Sequence, residues 1–190
     1  MSNRDEIAGV LDFLRAAEQL KNTTRTSWTS SGNQETVAAH TWRLCLMSLL
    51  FARNFPGVDV AKLLKICIVH DLGEAVGGDI SAVAQQGMPA KAEQERVDLL
   101  QLARPLPDNL RDEIVALWDE YEAATSQEAK LAKAFDKLET IMQHNQGRNP
   151  EGFDYRFNLG YGRQYTAGDP LIEALRKVLD EETESRAQGR

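Results

Sequence analysis

The sequence predicts an all-α protein, and three observations carry that prediction. Apolar residues recur at three- and four-residue spacings in segment after segment, as in helices that bury one face. No stretch alternates apolar and polar residues as a half-buried strand would. Gly, Pro and Ser/Thr clusters cut the periodic segments into lengths usual for globular helices. The 190 residues suit one domain over 1–190, a helical bundle with at least six helices.

Ile7, Val10, Leu11 and Leu14 mark the first helix on an otherwise charged segment. Lys21 to Asn33 is polar and rich in Thr and Ser, and reads as a loop. Glu35 to Arg53 (ETVAAHTWRLCLMSLLFAR) is apolar on more than one side, which predicts a central, buried helix ended by Pro56-Gly57. The next helix is expected from Val60 to Val76, stopped by Gly77-Gly78. Pro89 opens a short charged helix to about Ala103, whose segment Lys91 to Arg96 reads as a solvated face. Leu110, Ile114, Leu117 and Tyr121 define an amphipathic helix after Pro107-Asp108, and Gln127 to Asn145 carries Leu131, Phe135, Leu138 and Met142 on one stripe. Residues 146–168 are long, Gly- and aromatic-rich and aperiodic, a loop that must pack on something. Asp169-Pro170, an N-cap and a first-turn proline, opens a C-terminal helix over 169–186.

Composition narrows the function. Hydrophobic residues make up 42% and charged residues 27%, enough apolar material for a core. Asp+Glu number 29 against 22 Lys+Arg, a formal net charge of −7. Such a surface repels phosphate backbones, so no nucleic-acid partner is expected, although one cationic pocket would suffice for a small anion. Cys45 and Cys67 lie inside apolar patterns and read as reduced core thiols. No signal peptide and no membrane-spanning run is visible, and a cytoplasmic location is expected.

The informative positions are polar residues where the helical pattern asks for apolar ones. His40 falls on the stripe of Val37, Leu44, Met47 and Phe51. Leu63 and Cys67 are followed at the same spacing by His70 and Glu74, with Asp71 on nearly the same face. A buried carboxylate is costly unless paired or metal-bound. His40 alone reads as a core histidine. Together with His70, Asp71 and Asp136, from the segment AFDKLET, it completes two imidazoles and two carboxylates from three helices, a plausible set for a divalent cation.

That pattern, a His, then a His-Asp pair, then a distant Asp, resembles the HD-domain metal-dependent phosphohydrolases. The chain is further similar to their 5′-nucleotidase and 5′-deoxynucleotidase branch in RTSW (Arg25 to Trp28), ETVAAH (Glu35 to His40), VHDLGEAVGGDI (Val69 to Ile80) and LWDEYEAATSQEAKLAKAFDKLE (Leu117 to Glu139). The likeness spans roughly residues 5–145, the expected core of the domain. It implies that His40, His70, Asp71 and Asp136 hold one divalent metal. It makes Glu74 and Asp79 catalytic, Glu74 activating the attacking water and Asp79 lying near the sugar hydroxyl. It makes Arg25 a phosphate contact and Trp28 a substrate contact. Imidazole ligands favour Mn, Co or Fe over Mg or Zn.

The activity implied is removal of phosphate from nucleoside 5′-monophosphates, deoxyribonucleotides foremost. The alternatives are hydrolysis of another phosphate ester and a non-catalytic metal or nucleotide sensor. Glu74 favours catalysis, because a pure binding site needs no water-activating carboxylate. The family also implies a homodimer, in which Phe153, Tyr155, Phe157, Tyr161 and Tyr165 would lie at the interface or fold over a pocket. His144, near a helix C-terminus where a cation is favourable, is left outside the site.

Overall fold

The computed structural model describes residues 3–79 and 91–189. Helix α1 (Asn3–Ala17) leads through a 3₁₀ turn (Glu18–Lys21) into a small antiparallel hairpin, β1 (Thr24–Trp28) and β2 (Gln34–Thr36). Then follow α2 (Val37–Phe51), α3 (Val60–Val69) and the single turn α4 (Glu74–Gly77). After them come α5 (Lys91–Ala103), α6 (Asp108–Ala123), α7 (Gln127–Gln146), the short α8 (Phe157–Gly160) and α9 (Pro170–Ala187). The expected all-α bundle is present, and Pro89 lies outside the described residues.

Helix starts follow the local chemistry. Thr36, Asp59 and Ser126 each accept the backbone N–H three residues on, capping α2, α3 and α7. Asp169 accepts from Leu171 and Ile172 with Pro170 in the first turn, as the sequence predicts for α9. Helix α7 runs through the centre, packed on α2, α3, α6 and α9. Phe135, Leu138 and Ile141 join Leu44, Leu63, Ile66, Ile172 and Leu179 in the larger apolar cluster. A second cluster gathers Phe13, Val37, Val69, Leu99, Leu102 and Trp118 beneath α1, α5 and α6. Phe135 is fully buried and touches the rings of Phe51 and Phe55. Phe135→Ala is therefore expected to cost about 3–5 kcal/mol and to lower the melting temperature by on the order of 10 °C in a calorimetric scan.

Two expectations need correcting. The polar stretch Lys21 to Asn33 is not a plain loop: it holds β1 and turns into β2. The register irregularity between the pairs Thr24–Thr36 and Trp28–Gln34 erases the alternation that would have marked a strand. Nor is Val60 to Val76 one helix. After Val69 the backbone tightens to three-residue hydrogen bonds, Leu72 N to Val69 O and Glu74 N to Asp71 O (3.1 and 3.0 Å). Such bonding brings residues three apart toward one face, and Asp71 and Glu74 line the same cavity. Gly73 is required in this turn, since a Cβ there would lie 2.6 Å from the carbonyl oxygen of Glu95.

Candidate metal centre and its cavity

Three elements bring the predicted ligands together, His40, His70 and Asp71 as one cluster and Asp136 against His40. His40 comes from the first turns of α2, His70 and Asp71 from the tight turn after α3, and Asp136 from the middle of α7. One ligand atom each of His40, His70 and Asp71 lies within 4.8 Å of the others. His40 Nε2 stands 3.2 Å from Asp136 Oδ1 and 3.9 Å from Asp71 Oδ2, while His70 Nε2 is 3.0 Å from Asp71 Oδ2.

The fit to a cation rests on the two imidazoles. Both are buried, and in each Nδ1 meets an acceptor: Glu139 Oε2 for His40, and the Cys67 carbonyl at 2.7 Å for His70. Such bonds put the proton on Nδ1 and leave the Nε2 lone pair to a ligand. Neither Nε2 makes a hydrogen bond among the described residues. Two buried lone pairs aimed into a knot of carboxylates are costly to leave so, and a divalent cation satisfies all of them at once.

The electrostatics agree. Burial and Arg25 lower the pKa of His40, but Glu139 and Asp136 more than offset this and push it up to about 9. The point therefore favours positive charge. Burial would raise Asp71, yet His70, His40 and Arg25 hold it below the usual carboxylate range, and Lys137 and His40 do the same for Asp136. Tyr121 and Lys137 each donate to Asp136 Oδ2 at 2.7 Å, leaving Oδ1 toward His40. Glu139 is braced in turn by Arg43 Nε at 2.6 Å.

A cavity of about 750 Å³ opens on this cluster, lined by His70, Asp71, Glu74, Asp79, Asp136, Arg25 and Trp28. Seven of the eight residues singled out from the sequence thus border one space, with His40 buried behind it. Arg25 reaches across to donate to Thr140 Oγ1 at 3.0 Å and lies 3.6 Å from Asp71. The charged start of α5 is not solvent face alone, for Ala92 and Glu95 also line the cavity.

Sequence reasoning missed several residues of the site. Lys133, Lys137, Thr140 and His144 form a polar stripe along α7 facing the cavity. Their spacing of four, three and four residues was the available signal, hidden because lysines on a helix read as surface. His144, expected outside the site, lines the cavity too. Burial lowers its pKa, so it is held as the neutral ring. Residues 146–168 fold over the cavity of their own chain, contributing Phe153, Phe157, Tyr161 and Tyr165. One α-turn and one 3₁₀ turn are their regular structure.

A helical fold with a His, a His-Asp pair and a distant Asp gathered at the mouth of a cavity defines a metal-dependent hydrolase class. The HD domain model matches residues 17–176, and the chain belongs to that family. It is 32% identical to the mouse 5′-deoxynucleotidase HDDC2 over 183 residues, covering 95% of this chain and 90% of that protein. With the zebrafish 5′-deoxynucleotidase HDDC2 it shares 34% identity over 91% of this chain and 87% of the relative. Among solved structures it is similar to a predicted metal-dependent phosphohydrolase from Magnetospirillum magnetotacticum MS-1, with a TM-score of 0.82 and 25% identity over 96% of this chain and 97% of that one.

Proposed function

We propose that this chain is a divalent-metal-dependent phosphohydrolase that releases phosphate from nucleoside 5′-monophosphates, deoxyribonucleotides foremost. The observation that carries the reading is the pair of buried imidazoles with Nε2 left for a ligand, beside Asp71 and Asp136, at the wall of a cavity lined by Arg25, Lys133 and Lys137. His40, His70, Asp71 and Asp136 would hold the metal, with Mn, Co or Fe favoured by the imidazoles. When bound, the cation supplies Lewis-acid charge to a phosphoryl oxygen and makes a water acidic enough to attack near neutral pH. Glu74, three residues past Asp71 and lining the same cavity, accepts the proton of the attacking water at its carboxylate. Arg25 and Lys137 neutralise the phosphoryl oxygens, and Asp79, at the end of α4, meets the sugar. The names of the relatives support the substrate class.

Phosphate release from a panel of ribo- and deoxyribonucleoside 5′-monophosphates, with Mn²⁺, Co²⁺ and Mg²⁺ in turn, tests the reading. Turnover of deoxyribonucleotides with Mn²⁺ or Co²⁺ is expected. Tight metal binding without turnover on any member would make the protein a sensor instead.

We also propose that the domain, residues 1–190, works as a homodimer. Trp42, Leu46, Leu49 and Leu50 leave one apolar stripe of α2 exposed, Trp42 by 66%. Light scattering at micromolar concentration is expected to give the mass of two chains, and Trp42→Glu to halve it. A single-chain mass for the unaltered protein would overturn the dimer. No described helix is long and apolar enough to cross a membrane. Two free thiols, Cys45 and the buried Cys67, accord with a reducing, cytoplasmic setting.

A further inference from the structure

We infer that the far end of the cavity is a nucleobase seat built by the segment after α7, with Phe153 as its stacking face and His144 as its hydrogen-bond acceptor. The inference rests on the nucleotide reading and names what that site selects.

The placement follows from the helix that floors the cavity. Along α7, His144 lies eight residues past Asp136, a rise of about 12 Å. Thr140 stands between them, and all three line the cavity. Strand β1 runs beside this floor in the same sense. Arg25 bonds Thr140, and three residues on the Trp28 carbonyl accepts from Gln143 Nε2 at 2.5 Å. Arg25, Lys133 and Lys137 thus stand toward the Asp136 end, among the rings of Tyr121, Tyr161 and Tyr165, whereas Phe153 and Trp28 flank the His144 end. That separation matches a phosphate at one end of an extended nucleoside monophosphate and its base at the other.

Rings at that end are arranged around Phe153. It meets His144 and Tyr155 edge-on at 5.0 Å each and Trp28 at 6.3 Å. Phe153 and Trp28 are both half-buried and line the cavity, so each keeps ring surface open to it. Stacking on such a face is available to every base and absent for a bare sugar phosphate.

The tautomer of His144 is fixed by a chain of amides that starts at a backbone carbonyl. Asn145 Nδ2 donates to Leu179 O at 2.9 Å, which makes Asn145 Oδ1 an acceptor for Thr183 Oγ1 at 2.8 Å and for Asn158 Nδ2 at 3.5 Å. Asn158 Oδ1 is then the acceptor for His144 Nδ1–H at 2.8 Å. The remaining nitrogen, Nε2, carries a lone pair on a ring that lines the cavity. A buried neutral acceptor welcomes an N–H of a base and rejects a carbonyl in the same place. Cytosine and adenine, with exocyclic amino groups, are favoured over uracil and hypoxanthine.

Calorimetric titration tests the seat without relying on turnover. The metal-loaded Glu74→Gln protein, in which turnover is suppressed, is titrated with deoxyadenosine 5′-monophosphate and with 2-deoxyribose 5-phosphate, the same molecule without its base, and the further variants are made in that background. The nucleotide is expected to bind at least tenfold more tightly, and Phe153→Ala to remove most of that advantage while sugar-phosphate affinity changes less than twofold. Phe153→Leu, which keeps apolar bulk without a ring, is expected to do the same. His144→Phe is expected to abolish the preference for dCMP over dUMP. Equal affinities for nucleotide and sugar phosphate, or a nucleotide advantage that survives the Phe153 and His144 variants, would overturn the inference. A failure of the hydrolase reading looks different: the binding difference persists and the unaltered protein releases no phosphate.

Discussion

Replacing His70 by alanine is expected to strip the protein of its metal. Elemental analysis of the unaltered chain should find about one divalent ion per site, and the variant should retain less than about a tenth of it. The reason lies in the geometry of the turn after α3. His70 has Nδ1 committed to the Cys67 carbonyl and offers Nε2 alone, and His40 is the one other described imidazole in the cluster. Removing it leaves His40 and two carboxylates, a weaker and harder donor set that favours more weakly held ions. Loss of a supporting hydrogen bond alone lowers metal affinity about 10- to 100-fold, and loss of a ligand should exceed that. Circular dichroism separates metal loss from unfolding. A variant with unchanged metal content and native helicity would remove His70 from the ligand set.

Glu74→Gln is expected to behave oppositely, keeping the metal while lowering kcat by on the order of 10²-fold or more. Glutamine preserves the shape of the side chain and its place in the cavity wall but cannot accept a proton. If KM for the nucleotide stays within a few-fold while kcat collapses, Glu74 acts on the reacting water. Loss of metal in this variant would instead make Glu74 a fifth ligand. A kcat within threefold of the unaltered enzyme would leave proton removal to another group.

The contrast between these variants shows what the residues alone could reveal. His40, His70 and Asp71 were legible because each interrupts a face that the helical pattern marks as buried, where an ionisable group must have a partner, and Asp136, which only borders the stripe of α7, because it completes the His, His-Asp, Asp pattern. The supporting groups were not. Glu139 is fully buried and Arg43 half-buried, together holding His40 in its tautomer, yet a Glu and an Arg on amphipathic helices read as solvent-facing. Lys133 and Lys137 were hidden for the same reason, since nothing in periodicity separates a lysine facing water from one facing a wet cavity. The hairpin escaped because its strands are five and three residues long and carry a bulge. The break after Val69 escaped because helix and 3₁₀ turn both bring residues three apart to a similar face. Only Gly73 hinted at the tighter turn.

Arg176 gives the segment before α9 its particular character. Buried at 4% exposure, its guanidinium donates to the carbonyls of Tyr161, Asn158 and Leu159 and to Thr166 Oγ1, while Nε pairs with Asp180 at 2.7 Å. Backbone oxygens that a helix or sheet would satisfy through its own repeat are here satisfied by one side chain from elsewhere. A stretch fixed this way owes nothing to periodicity, so apart from the buried Asn158 and Thr166 its side chains can be exchanged without dismantling its course. The cation cradle, by contrast, is bound into α2, α3 and α7, where each neighbour constrains the next. Substitutions of the cavity-facing rings in the stretch that Arg176 pins are therefore expected to retune what the cavity accepts while the cation cradle stays intact.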